Sequence, residues 1–322
     1  MAGKDRLRQH RQDPGQDRLI LIDDVQVVTV TGAGLPACTA SPARDDIPRN
    51  SCSAPIGIFD SGIGGLSVLR HIRAQLPCEE LLYFADSGFA PYGDKPESAI
   101  IARSLAVTDF FVQSRAKALV VACNTATAAA IKFIRERHPA LTVVGVEPGL
   151  KPAATLTSTG TVGVLATRGT LASSKFTALR DRLSAETNVR FLAQACSGLA
   201  DQIEKGELQS PATTLLVRRY VEPLLEQGAD TLVLGCTHYP FVRQLIEEIA
   251  TRISSRPVSI IDTGEPVARQ LTRLLTERKL LNGSTDPGSI QAFTTGSETA
   301  LASAFSRLLH LQPEIHRLAV AA

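Results

Sequence analysis

The sequence predicts an α/β fold built on parallel sheets, and two observations carry that prediction. Short apolar runs of strand length alternate with helix-like patterns from Pro55 to about Leu311. Two of those runs lead into matching tetrads, Ala122-Cys123-Asn124-Thr125 and Gly235-Cys236-Thr237-His238, and each tetrad is followed by a helix-like pattern. The same plan written twice suggests two similar halves. Composition allows this: 44% hydrophobic residues in a chain of 322 suffice for packed cores, and the length suggests about two domains.

Residues 1–54 stand apart. They are rich in Arg, Asp, Gln, Pro, Ser and Thr and are weakly patterned, so they read as a mobile extension. The alternative is an arm that orders with a ligand or a neighbouring subunit. Its apolar run, 19–30, is interrupted by Asp23-Asp24 and too short for a signal sequence. Cys38 and Cys52 receive no role.

The folded part opens at Pro55. Residues 56–59 read as a buried strand, followed by Asp60-Ser61-Gly62-Ile63-Gly64-Gly65 and a helix over 67–75. Glycines let such a turn run tight against a ligand, with Asp60 at the strand end. The pattern is neither GxGxxG nor a P-loop, which argues against a nucleotide site. A strand over 81–84 ends at Ala85-Asp86, and the turn-rich Phe89-Ala90-Pro91-Tyr92-Gly93-Asp94 lies over the same sheet edge. A helix over 97–114 leads into the first cysteine strand, 118–121, and its helix, 126–137. A strand over 143–146 ends at Glu147-Pro148.

A second series starts near Lys151. It holds a strand over 162–166, a polar turn over 167–170, and Thr170 or Ser173 as the cap of the next helix. A strand over 189–193 follows, then a helix carrying Leu199, Ile203 and Glu204 that stops at Gly206, and a longer helix over 211–227. The second cysteine strand, 232–234, precedes a helix over 241–249 with Pro240 suited to its first turn. A last strand, 258–261, ends at Asp262. The remainder reads as a helix over 266–278, a turn over 282–288 and a closing helix over 298–311.

Charge and cysteine content narrow the function classes. The 34 basic and 32 acidic residues give a net charge of +2, so bulk charge points to neither a nucleic-acid nor a membrane partner. No run approaches the roughly 18 apolar residues of a membrane span. Six cysteines without a CxxC pair form neither a disulfide framework nor a zinc pattern, and suggest a cytoplasmic protein with free thiols.

A cysteine at the C-terminal end of a parallel strand sits where open α/β sheets bind ligands, beside a helix N-terminus that favours thiolate. Two such thiols facing each other across one small anionic substrate can perform a demanding reaction. A carbon-bound proton α to a carboxylate is very weakly acidic, and its return to the opposite face needs an acid on that face. One thiolate and one thiol meet both needs and exchange roles with direction. His238, two positions after Cys236, could relay its proton, and Asp60 is the corresponding candidate for Cys123. Backbone N–H groups at the helix starts, with Asn124, Thr125 and Thr237, could hold a carboxylate. A lone strand-end cysteine is ordinarily a small buried hydrophobe; the doubled motif argues against that here. Taken singly, His238 could be a structural cap, Glu204 an exposed helix charge, and Ser61 and Tyr92 ordinary turn residues.

These motifs resemble the glutamate racemases, a cofactor-independent family that supplies D-glutamate for peptidoglycan. The resemblance spans about Pro55 to Leu311. It rests on Ile58-Phe59-Asp60-Ser61-Gly62-Ile63-Gly64-Gly65-Leu66, Pro91-Tyr92-Gly93, Ala122-Cys123-Asn124-Thr125-Ala126, Gly145-Val146-Glu147-Pro148, Leu165-Ala166-Thr167 and Gly235-Cys236-Thr237-His238-Tyr239-Pro240. It implies two flavodoxin-like domains related by a pseudo-twofold axis, with the active site between them. On that division, residues 55–150 with 262–312 form the first domain and 151–261 the second. It implies Cys123 as the base for D-glutamate and Cys236 as the base for L-glutamate, with Asp60, His238 and Glu204 as auxiliary acid/base groups. Substrate contacts then fall on Asp60, Ser61, Tyr92, Gly93, Asn124, Thr125, Thr237 and His238, with no metal or cofactor. Cys78 and Cys196 are structural.

Phe176 stands where the family often has Tyr, and residues 1–54 exceed the usual extension. Some members with an extension are activated by a UDP-linked muramyl-alanine precursor, so that activator is a candidate partner, with a homodimer or a monomer–dimer equilibrium expected. Rival readings are aspartate racemase or another two-cysteine relative, a PLP racemase, a zinc site on Cys123, Cys236 and His238, and a non-catalytic glutamate-binding protein. The Thr-His after Cys236 favours glutamate over aspartate, and no recognisable Lys motif supports PLP.

Overall fold

A computed structural model describes residues 51–319. The expectation for residues 1–50, Cys38 included, lies outside the described residues. The chain runs β1 (Ile56–Asp60), α1 (Leu66–Gln75), β2 (Leu81–Ala85), α2 (Glu97–Gln113), β3 (Ala118–Val121), α3 (Asn124–Arg137), β4 (Thr142–Gly145) and α4 (Leu150–Leu156). It continues through β5 (Thr161–Ala166), α5 (Arg168–Ala172), α6 (Ser174–Thr187), β6 (Arg190–Ala195), α7 (Leu199–Glu204), α8 (Pro211–Glu226), β7 (Thr231–Gly235) and α9 (Arg243–Ile253). It closes with β8 (Ser259–Ile261), α10 (Gly264–Glu277), β9 (Ile290–Thr294), α11 (Glu298–Leu309) and β10 (Glu314–Arg317).

The strands form two sheets, ordered β10-β9-β2-β1-β3-β4 and β6-β5-β7-β8, and every adjacent pair is parallel. The fold class is therefore the α/β class expected. The first four strands of each sheet follow one winding, second-first-third-fourth, which is the flavodoxin-like order. In that order the chain reverses direction between the first and third strands, and ligands bind at the carboxyl ends there. Both cysteines stand at such a point, Cys123 after β3 and Cys236 after β7.

Strands β1, β3 and β7 are buried along their whole length because helices cover both faces of each sheet. One core packs Leu66, Leu69 and Ile72 of α1 against Val267 and Leu271 of α10, and runs on into Leu199, Ile203 and Leu224 of the second half. A second lies on the other face of the first sheet around Phe59, Phe84 and Phe111, and a third packs Val162 and Val233 on Phe176 and Leu183. Phe176 is buried among apolar side chains, where a ring without a hydroxyl fits.

Four elements were not expected, the first being helix α5, which replaces the polar turn over 167–170 because the Thr167 hydroxyl caps it by accepting the Thr170 N–H. Helix α4 buries only Leu150 and Ala153, so its sequence shows little periodicity, and Pro152 is tolerated in its first turn. Strand β9 is a short apolar run after a turn. Strand β10, Glu-Ile-His-Arg, is a polar edge strand, the composition that guards an open sheet edge. Helix α3 also begins at Asn124, two residues before the expected start, which makes Cys123 itself the N-cap.

Candidate active site

The two halves meet over a small cavity. Its walls include Ser61, Tyr92, Gly93, Cys123, Asn124, Thr125, Cys236, Thr237, His238 and Glu204, together with Ala90, Pro91, Thr167, Ala200 and Asp201. Of the site residues expected from sequence, only Asp60 does not line it; Asp60 is fully buried one layer behind.

Cys123 is fixed by the end of β3. Its sulfur accepts a hydrogen bond from the Ala126 N–H at 3.5 Å, and the Ser61 hydroxyl lies 3.7 Å away. Both contacts favour the thiolate, as a helix start should. Burial outweighs them, and with the charge of Asp60 it pushes the Cys123 thiol up to about 12. The helix start and the two hydrogen bonds act in the direction expected, and desolvation of the anion opposes them.

Asp60 ends β1. One carboxylate oxygen accepts the Gly62 N–H at 3.0 Å, and the other accepts the Thr237 hydroxyl at 3.2 Å. Burial raises its carboxyl to about 6, against the lowering influence of His238. A carboxyl near 6 can exchange a proton around neutrality, the property a general acid/base needs.

On the opposite side, His238 Nδ1 lies 3.6 Å from Cys236 Sγ, and its Nε2 lies 2.6 Å from Glu204 Oε1. Burial pushes His238 down. The bonds to Cys236 and Glu204, together with their charges, more than reverse that and hold it well above the ordinary imidazole range. Glu204 also accepts the Ile63 N–H at 2.7 Å, which joins α7 of the second half to the glycine turn of the first.

That joining explains the glycines. A Cβ at Gly62 would collide with the Glu204 carboxylate, and one at Gly64 with the His238 ring and with Thr237 Oγ1 at 2.7 Å. The turn does run tight, but against Glu204, Thr237 and His238 of the other half.

The remaining walls are polar. The Thr125 hydroxyl bonds those of Thr167 at 3.0 Å and Thr170 at 3.3 Å across the halves. Both polar atoms of the buried Asn124 amide lack a partner, an arrangement native proteins rarely leave without purpose. Tyr92 lines the cavity, but its hydroxyl donates to Asp86 at 2.6 Å, so the polar end is engaged behind the wall.

Sequence reasoning did not select Thr167, Ala200 or Asp201. A signal existed for Thr167: it follows β5 as the Asp60-Ser61 turn follows β1, and the doubled plan marks both strand ends. Asp201 precedes Glu204 by three residues, close to one helical turn.

This arrangement, an α/β double unit with a thiol at the same strand end of each half lining one cavity, defines the class. Residues 56–271 match the model of the Asp/Glu/Hydantoin racemase family, and the chain belongs to that family. Its similar relatives include glutamate racemases. The chain is 51% identical over 268 residues to the glutamate racemase of Ectopseudomonas mendocina, covering 83% of this chain and 99% of that one. Glutamate racemase from Francisella tularensis, solved with D-glutamate, superposes with a TM-score of 0.73 at 28% identity over 84% of this chain and 98% of its own. The Escherichia coli enzyme, solved with L-glutamate and the activator UDP-MurNAc-Ala, gives 0.70 at 32% identity over 83% and 99%.

Proposed function

We propose that this chain interconverts L- and D-glutamate, with Cys123 and Cys236 as the two bases. The observation that carries the reading is the pair of buried thiols lining one cavity, each with its own titrating partner, in a chain of the glutamate racemase family. The α-carboxylate and ammonium of the amino acid are matched by Asn124, whose amide has no internal partner, and by Thr125, Thr237 and Ser61.

The reaction moves one proton off the α-carbon and another onto its opposite face. Following the family, Cys123 takes the proton from D-glutamate and Cys236 from L-glutamate. Asp60 exchanges a proton with Cys123, and His238, held by Glu204, exchanges one with Cys236. Each step is a proton transfer in which no hydride or electron moves, so the chain's own side chains suffice. The cavity is small and its cysteines and His238 are buried, which strengthens charge interactions during the transfer.

The same reading assigns 55–150 with 262–312 to the Cys123 domain and 151–261 to the Cys236 domain. The two separate sheets support it, since β5 to β8 all fall within 151–261. It also places the enzyme in the cytoplasm, where D-glutamate enters peptidoglycan synthesis; among the described residues no helix is long and apolar enough to cross a membrane. A UDP-muramyl-alanine activator is proposed by likeness to the Escherichia coli enzyme; equal exchange rates with and without it, in the full chain, would remove that part.

The test is incubation of the purified chain with L-glutamate in D₂O, without PLP or metal, following optical rotation and the α-proton signal. Loss of rotation with deuterium incorporation is expected, and the racemisation is lost in Cys123→Ala and in Cys236→Ala. Exchange with aspartate but not glutamate would transfer the reading to a neighbouring member of the family. Binding of glutamate without exchange would leave only a binding protein.

A further inference from the structure

Tyr92 reaches the cavity as part of the Ala90–Gly93 wall, yet its hydroxyl points away from it. The residue that receives this hydroxyl is Asp86, fully buried at the end of β2 and outside the cavity. Its carboxylate is the centre of a closed set of bonds. Oδ2 accepts from Tyr92 Oη at 2.6 Å and from Arg103 Nε at 3.0 Å. Oδ1 accepts from Arg103 Nη2 at 2.5 Å and from Thr295 Oγ1 at 2.7 Å. Its own N–H donates to the Asp60 carbonyl at 3.0 Å, tying it to the strand that carries the site.

Two of the four bonds come from one guanidinium in the forked geometry that fixes a carboxylate in direction as well as place. A buried carboxylate so held is costly to remove and rigid while present. What it holds is specific. The Tyr92 ring packs edge-on against Phe59 and Phe89, at 6.2 and 6.1 Å between centroids, contacts that set its plane. The hydroxyl end is anchored in depth by the bond to Asp86, beside the Arg103 guanidinium that holds the same carboxylate. The next residue, Gly93, comes close enough to the second half that an added Cβ would lie 2.9 Å from Thr167 Cβ. A change in Tyr92 depth therefore changes the gap between the Ala90–Gly93 wall and the Thr125–Thr167 wall.

We propose that Asp86 is a positioning residue of the reaction: held by Arg103 and Thr295, it fixes the Tyr92 hydroxyl and thereby the Ala90–Gly93 wall against which the substrate seats. It touches no reacting atom. Its effect is on substrate binding, with the proton transfers left to Cys123 and Cys236. The proposal rests on the racemase reading for its kinetic part and on geometry alone for the rest.

The experiment has two arms. In the kinetic arm, Asp86→Asn, Tyr92→Phe and the double variant are assayed for glutamate racemisation. The expected result is a KM raised about tenfold or more in each single variant, kcat changed less than about threefold, and a double variant no worse than the more damaged single, since the Tyr92–Asp86 bond they share can be lost only once. In the second arm, which needs no substrate, backbone amide exchange at Tyr92, Gly93 and Asp94 is expected to quicken at least tenfold in Asp86→Asn. Should Asp86→Asn fail to fold, Tyr92→Phe reads the same bond from its other end. A fall in kcat at unchanged KM, additive losses in the double variant, or unchanged exchange in this loop would each overturn the proposal. An inactive wild type would instead overturn the racemase reading, and the exchange arm would still decide whether Asp86 positions the wall.

Discussion

At the scale of single residues the site is asymmetric, although the halves that build it are alike. Cys123 has a carboxyl partner near 6, and Cys236 has an imidazole clamped by a carboxylate. Enantiomers have equal free energies, so kcat/KM must be equal in the two directions for every variant. Asymmetry can show only in kcat and KM separately and in isotope effects. Glu204→Gln keeps the shape and can still accept the Ile63 N–H, but it removes the charge facing His238. Its kcat/KM is expected to fall by about 10- to 100-fold in both directions, less than the roughly 10²–10⁴-fold of a direct acid/base group because Glu204 acts through His238. The α-deuterium isotope effect is then expected to grow more from L-glutamate than from D-glutamate, because the slowed transfer is on the Cys236 side. Equal growth from both would detach Glu204 from that side.

Asp60 makes a stability prediction of definite sign. Its folded value, about 6, is above its unfolded value, 3.8, so between those pH values the folded protein holds a proton that the unfolded chain has lost. Stability from this group is full below about pH 4 and is lost as pH rises through about 6, by about 3 kcal/mol for a shift of this size. Asp60→Asn lacks the term. The unfolding free energy of the wild type relative to the variant is expected to decline over that window, measured by denaturant titration from pH 3.5 to 7. A flat difference would mean that Asp60 is not raised.

At the scale of elements, how much could be read from the sequence depended on whether the signal was local. A strand, a cysteine and a helix in succession is a local pattern, so Cys123 and Cys236 were legible with their elements. Glu204 was not legible from pattern, since a helix glutamate has no local mark; only the resemblance singled it out, and only the fold brings α7 over Gly62. Asp86 read as a strand end, because its partners Arg103 and Thr295 come from α2 and from beyond β9. The glycines were legible as a close approach, but what approaches was not, as Glu204 and His238 lie far along the chain. Gly64→Ala tests that meaning. Its methyl would press on the His238 ring and Thr237, so kcat/KM is expected to drop at least about tenfold, with a stability loss of about 1–3 kcal/mol from overpacking. Gly283→Ala is the control: its Cβ would meet open space, and both quantities are expected to stay unchanged.

At the scale of the whole molecule, the cavity between the halves has a volume of about 30 Å³. That is room for about one water, and glutamate is several times larger. Substrate therefore enters only when the halves part, and the contacts that must break include Ile63 N–H to Glu204, Thr237 to Asp60, the Ser67 hydroxyl to the Thr237 carbonyl, and Thr125 to Thr167 and Thr170. Breaking these need not disturb either sheet, whose backbone bonds lie within one half. Opening is then a local event with a free energy well below that of global unfolding. The Ile63 amide reports it directly, because its partner belongs to the other half. In the free protein it is expected to exchange much faster than the Ile58 amide inside β1. A ligand that binds only the closed pair must slow it by the linkage factor, about 100-fold at a D-glutamate concentration 100 times Kd, while Ile58 changes less. If Ile63 exchanged as slowly as Ile58 with and without ligand, the halves would open only by unfolding, and entry would have to proceed through movement of the Ala90–Gly93 wall alone.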